Sequence, residues 1–254
     1  MTPTAIGICI LDSCYHRLMN NIMEKRLSEA NDLREAEKYG DSAKAYTECL
    51  IDLIKNGDQT GLIHCLGGQS LIYKILIRSN NSPIYRQLTL SFAKGALDVA
   101  ESNLINLDGR VVAIAYRCYG DALLMDDKPQ VALPYFEKAF SITTAGIPEK
   151  GNLKAHIGSI KYLLGEKELG KNIIEEALDD IRTGDPSVGA YRTWETGCLN
   201  SLAKIYAIEN NPDKATDTIK LSLDIATDHN LPIRKREAEE ILEKISSGKI
   251  DFSI

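Results

Sequence analysis

The chain has 254 residues, 44% hydrophobic and 26% charged, with a formal net charge of −6 from 30 basic and 36 acidic side chains. That apolar content excludes a chain disordered by composition, and the acidic balance gives no electrostatic footprint for nucleic acid. Aromatics make up only 6%, so small and medium aliphatic residues must do most of the packing, which suits close helix–helix contact.

Residues 1–16 fit no helix pattern and are expected to form an irregular N-terminal arm. The apolar run from Ala5 to Leu11 is ended by Asp12 and has no basic residue ahead of it, so it does not read as a secretory leader. A first helix is predicted over about 19–38. A second follows Gly40 and Asp41, with Ala43, Tyr46, Leu50, Leu53 and Ile54 on one stripe, and stops at Asn56-Gly57. Residues 61–102 form another pair, with Leu88, Phe92, Ala96 and Val99 as the apolar stripe of its second helix. Proline marks helix starts at Ser82-Pro83, Lys128-Pro129, Asp185-Pro186, Asn211-Pro212 and Leu231-Pro232, where a preceding Ser, Asp or Asn can cap free N–H groups. Asp127 is expected to cap the helix whose stripe is Val131, Tyr135, Ala139 and Ile142. Pro134 lies inside that helix, near enough to its start to be tolerated. Arg234, Lys235 and Arg236 are followed by acids and read as a solvated face with pairs such as Arg236–Glu240. The count comes to about eleven helices of roughly 15–20 residues, a last one over about 232–246 and a tail over 248–254.

Strand signals are nearly absent. No run approaches the ~18 apolar residues needed to cross a bilayer, so no membrane association is expected. The six cysteines are spread singly, without a C-x-x-C, as in a reducing compartment; the cytoplasm is the expected location.

The helices repeat. The clearest unit places Tyr116, Tyr119, Gly120 and Leu123 on one helix and Ala132, Phe136 and Ala139 on the next. Small residues at Gly120 and Ala132 allow two antiparallel helices to cross closely, with Phe136 and Tyr116 filling the space between. Ile157, Gly158, Gly170, Ile174 and Ala177 repeat the frame. So do Leu199, Leu202, Ala203 and Tyr206 with Ala215, Ile219 and Ser222. One pair cannot bury its other face, so pairs must stack. Aligning second helices on Ala45, Leu88, Ala132, Gly170 and Ala215 gives intervals of 43, 44, 38 and 45 residues.

This pattern resembles the tetratricopeptide repeat, in its long-period form of about 38–45 residues, as in kinesin light chains and bacterial peptide-sensing regulators. The resemblance covers about 19–228 and is strong over 111–228. It implies an all-α, right-handed superhelical α-α solenoid of about five hairpins plus a C-terminal capping helix, occupying 17–247.

No catalytic or cofactor signature is legible beside it. The glycines at Gly61, Gly67 and Gly68 lack a phosphate-loop lysine and a preceding strand; a loose helix start or a close helix crossing explains them. There is no H-E-x-x-H. Cys9, Cys14 and His16 fall short of the four ligands of a structural zinc site. His64 and Cys65 are adjacent, and on a helix they point about 100° apart. No metal, cofactor or catalytic activity is expected. A helical enzyme using His64, Cys65 or His156 stays open as an alternative.

The resemblance implies binding of a protein or peptide along a concave groove lined by the first helices. Carried over position by position, the groove residues are Arg117, Asp121 and Leu124, then His156, Ser159 and Tyr162, then Asn200 and Lys204. A weaker upstream frame adds Asn31, Arg34, Tyr73 and Lys74. The Lys/Asn/Arg clamp of chaperone-binding members is not reproduced. A scaffold binding one partner and a sensor of a signal peptide are both compatible with this lining.

Overall fold

The computed structural model describes residues 22–252. Among them are eleven helices and no strand: α1 (22–35), α2 (Tyr39–Asn56), α3 (Gln59–Ser79), α4 (Pro83–Glu101), α5 (Gly109–Met125), α6 (Pro129–Ile142), α7 (Ile147–Leu163), α8 (Lys167–Arg182), α9 (Gly189–Ile208), α10 (Pro212–Asp228) and α11 (Pro232–Ser246). They form five helix hairpins and a final single helix, as the sequence predicts. The arm over 1–16, with Cys9, Cys14 and His16, lies outside the described residues. None of these helices is long and apolar enough to cross a membrane.

Four of the five hairpins turn in the same way. The second residue after the first helix takes a left-handed conformation at Glu37 (φ 60°), Asp127 (54°), Gly165 (96°) and Asn210 (60°). The next amide then bonds back over the last turn: Lys38 N to Leu33 O at 2.9 Å, Lys128 N to Leu123 O at 3.0 Å, Glu166 N to Lys161 O at 3.0 Å and Asn211 N to Tyr206 O at 2.8 Å. This Schellman closure satisfies carbonyls that the helix end leaves open. Asp127 is therefore part of the turn and not a cap. The N-cap position of α6 is Lys128, with no side-chain bond. One other expected start also differs. Asp185 accepts from Ser187 N at 2.9 Å in a local turn, and α9 begins only at Gly189. Ser82 precedes α4 without a side-chain cap bond, whereas Asn211 does cap α10 through Lys214 N at 3.3 Å.

The described residues group into two compact units that divide between Asn103 and Leu104. In the first, α2 packs on α3 and α3 on α4. Its core joins Met23, Ala30, Tyr46, Cys49, Leu53, Leu62, Cys65 and Ile72. Ser42 Oγ donates to Ala30 O at 2.7 Å and Ser70 Oγ to Thr89 O at 3.0 Å, so in each hairpin a small hydroxyl sits at the crossing. Gly61 and Gly68 serve close crossings too. A Cβ on them would come within 2.3 Å of Leu53 Cδ2 and of Tyr46 Cζ.

In the second unit every helix from α5 to α10 packs on its successor, and α9 also touches α7 and α11. Ala132, Phe136, Ala139, Ile174, Ala177, Ala215 and Ile219 are fully buried. A Cβ on Gly120 would lie 2.6 Å from the Phe136 ring, which is why that position is small. The last helix covers the end of the stack. Ala238 and Ile241 of α11 close over Ala203 and Ile219, the capping role the sequence assigned to it.

The buried stripes correct two register expectations. In the first two hairpins the positions equivalent to Ala132 are Ser42 and Thr89, both fully buried, and not Ala45 and Leu88. Likewise Ile54 and Val131, assigned to core stripes, are 62% and 51% exposed. Helices this close pack through serine, threonine, cysteine and alanine, so the large aliphatic beside them is displaced outward.

Candidate functional site

The predicted groove residues are distributed over both units, and each unit holds its own set. In the first, Arg34 is buried on α1. Its guanidinium reaches Glu35 Oε1 at 2.7 Å and the Tyr46 hydroxyl at 3.4 Å, and bonds Asn31 Oδ1. It thereby holds α1 to α2. Tyr73 on α3 is half-buried and stacks on Phe92, with centroids 5.7 Å apart and planes at 3°, and leans on Tyr85 at 6.0 Å. Lys74 beside it is half-buried.

The second unit brings more of the predicted set together. Arg117 Nη1 donates to Asp121 Oδ2 at 3.3 Å, one turn along α5. Asp121 Oδ1 lies 3.9 Å from His156 Nδ1 on α7. The His156 ring stacks on Phe136 of α6, with centroids 4.9 Å apart. A polar row thus crosses from α5 to α7 above an aromatic floor. Arg110 pairs with Glu149 between the same two helices. Leu124 and Ser159 are half-buried nearby on their helices, and Lys204 is half-buried on α9.

Tyr162 and Asn200 complete the set, on the adjoining helices α7 and α9. Both are buried, at 4% and 5% exposure. Asn200 Oδ1 accepts from Ser222 Oγ of α10 at 2.6 Å. Its Nδ2 and the Tyr162 hydroxyl are buried without a hydrogen-bond partner among the described residues. A buried polar atom left in this way costs about 1–3 kcal/mol. Turning the Asn200 amide over only exchanges which of its two atoms is left over.

One cluster escaped the sequence reading. Glu195 of α9 is 3% exposed, and Arg182 Nε of α8 donates to it at 2.8 Å. Arg192 bonds its other oxygen and also reaches Pro186 O at 3.3 Å. The signal available was a lone acid on an otherwise apolar and basic helix face, with arginines on both sides of a Pro-containing turn. Its partners span a loop, so spacing alone does not join them.

Among the described residues, Cys65 and His64 are not brought together as a pair. Cys65 is fully buried and donates to Tyr46 O at 3.0 Å, while His64 is exposed. Burial pushes the Cys65 thiol up to about 12, and Cys49 nearby adds to the shift. A thiol held protonated is a poor nucleophile. Among the described residues no group of three or more His, Cys, Asp or Glu could hold a metal ion.

No family model matches the chain, and no curated protein matches it. Solved structures do. YrrB, described as a TPR protein with an unusual peptide-binding site, is 16% identical over 84% of this chain and 90% of its own, with a TM-score of 0.36. A Podospora anserina kinesin light chain with nearly identical TPR-like repeats is 11% identical over 69% of this chain and 92% of its own, at 0.44. The TPR2AB domain of yeast Sti1, in complex with pHSP90, is 11% identical over 89% of this chain and 99% of its own, at 0.38. What places the chain beside such proteins is its own architecture: helix hairpins crossing at Gly120, Gly158 and Ala203, and stacked in order under a terminal helix, give it a tetratricopeptide-like all-α fold.

Proposed function

We propose that the chain is a protein- or peptide-binding module whose recognition surface in the second unit is formed by the first helices α5, α7 and α9. The observation that carries this reading is the polar row across the first helices, Arg117 and Asp121 of α5 and His156 of α7 beside the Phe136 ring. The half-buried Arg117, His156 and Lys204 are side chains that can hold a polar ligand at the rim.

The test is selection from a displayed peptide library on the purified full chain, followed by Arg117→Gln, which keeps a donor toward Asp121, and by His156→Ala. Affinity for selected peptides is expected to fall about tenfold, the equivalent of ~1.4 kcal/mol, with the helical signal kept. Unchanged affinity in both Arg117→Gln and His156→Ala would remove this surface from consideration.

A further inference from the structure

His156 and Asp121 link two successive hairpins of the second unit. His156 stands on α7, and its Nδ1 approaches Asp121 Oδ1 of α5 at 3.9 Å. That is too long for a hydrogen bond between neutral partners and within reach of an ion pair. The carboxylate is withdrawn from solvent, with 7% of its side chain exposed, while the imidazole keeps 29%. Water therefore reaches the base more readily than the acid. The same imidazole lies on the Phe136 ring of α6, with planes at 20°, which fixes its orientation and suits a cation over an aromatic face.

The charges on the surrounding helices fall into pairs. On α5, Arg117 holds the other oxygen of the carboxylate, Asp121 Oδ2, so the two bases engage different atoms of one acid. Arg110, further back on α5, pairs with Glu149 of α7. Glu137 and Lys138 of α6 are exposed. Glu176 and Asp180 of α8 both meet Lys154 of α7, at 2.7 and 3.2 Å. Lys171 of α8 and Glu209 at the end of α9 pair at 3.0 Å beside Tyr162, and Lys161 of α7 meets Glu166 at 3.5 Å. Lys204 of α9 is half-buried. Asp121 is thus the carboxylate that His156 meets across the hairpins, and the acids listed beside it on α7 and α8 are held by other cations.

We infer that His156 and Asp121 form a proton-operated latch between the α5–α6 and α7–α8 hairpins. When the imidazole takes up a proton from water, both ring nitrogens carry hydrogen and His156 closes an ion pair onto Asp121, fastening α7 to α5. When it gives the proton back, the pair opens. The Arg117 cation and the partial burial of the ring oppose protonation. The carboxylate within 4 Å outweighs them, because it is the nearest charge across the hairpins and is poorly screened. The folded imidazole then binds its proton more tightly than the unfolded one. Its contribution to stability is fully present below about pH 6.5 and is lost as pH rises through the folded value, about one unit higher. The latch is a property of the stack and holds whether or not a peptide engages the row.

The experiment is an NMR titration of the His156 ring protons in the full chain, assigned by their loss in His156→Gln. The midpoint is expected about one unit above the ordinary histidine value of 6.5. Asp121→Asn keeps the size of the side chain and removes its charge, and is expected to bring the midpoint down by about one unit. The melting temperature of the wild type is expected to exceed that of His156→Gln by about 3 °C more at pH 6 than at pH 8. A wild-type midpoint at or below 6.5 overturns the latch, and that measurement decides even where Asp121→Asn loses its helical signal. A midpoint that a folded Asp121→Asn leaves in place, or a melting difference equal at the two pH values, overturns it as well.

Discussion

Gly158 of α7 and Gly170 of α8 face each other so closely that a Cβ on Gly158 would sit 2.8 Å from Gly170 O, and one on Gly170 would sit 2.6 Å from Gly158 O. Backbone meets backbone here, and Gly170 would also strike Tyr162 N at 2.5 Å. A side chain can rotate away from such a contact; a main chain must be pushed apart. Gly170→Ala is expected to destabilise the protein by about 1–3 kcal/mol, the usual cost of overpacking. Gly40→Ala, where nothing lies within 4 Å of the added methyl, is the neutral control. Denaturant midpoints of the two variants check this. Equal midpoints would show that the hairpin opens freely at this crossing.

The Glu195 carboxylate ties the end of α8 to the start of α9. Glu195→Ala leaves Arg192 mostly buried beside a lost partner, at 16% side-chain exposure, and is expected to cost about 2–3 kcal/mol. Arg182→Ala is expected to cost less, because that guanidinium is 40% exposed and water can replace it. Thermal melts that rank the two variants the other way would contradict the burial argument.

Alkaline pH is expected to weaken the fold. Burial raises the Cys65 and Cys198 thiols from 9.0 to about 12, and it also holds the Tyr206 phenol protonated, with the bond to Glu175 adding to the effect. Below about pH 9 both folded and unfolded thiols keep their protons, so nothing is lost. Above it the unfolded chain binds fewer protons than the native one, and stability declines as pH rises from 9 toward 12. Each thiol contributes roughly 1 kcal/mol of loss by pH 10. Melting temperature measured from pH 8 to pH 10.5 should show the decline, and Cys65→Ser with Cys198→Ser should flatten it.

Glu37 closes the α1–α2 turn in a left-handed conformation that β-carbons disfavour. Glu37→Gly is expected to raise stability by about 1 kcal/mol, reduced slightly by the loss of the 3.4 Å contact from the Tyr39 hydroxyl. Asn210→Gly, at the equivalent turn, is expected to gain less, since asparagine already tolerates this region. Equilibrium unfolding of both variants gives the ranking.

The repeat was legible because its constraint is local. Gly120, Ala132, Phe136 and Ala139 recur at helical spacing, and only close antiparallel crossing calls for small residues there. The upstream register was not legible, because Ser42 and Thr89 do in the first two hairpins what alanine and glycine do later. A hydropathy stripe weights Ile54 and Leu88 above them. The crossing distance reverses that order: Ser42 Oγ bonds the facing Ala30 carbonyl, Thr89 turns its hydroxyl back to Tyr85 O of its own helix, and both pack closer than a larger aliphatic can.

The candidate site divides in the same way. Sequence by itself determined the helix count, the hairpin pairing, the terminal cap and which side chains stand on the first helices, because caps, turns and period act within a few residues of one another. Only tertiary structure decided which of those side chains remain available. Arg34, Asp121, Tyr162 and Asn200 share the residue types of a binding surface, yet all four are buried. Tyr162 and Asn200 were left with unbonded atoms, and Glu195 was joined to arginines on two helices. Burial and pairing depend on neighbours brought together by stacking, and no spacing along the chain encodes them.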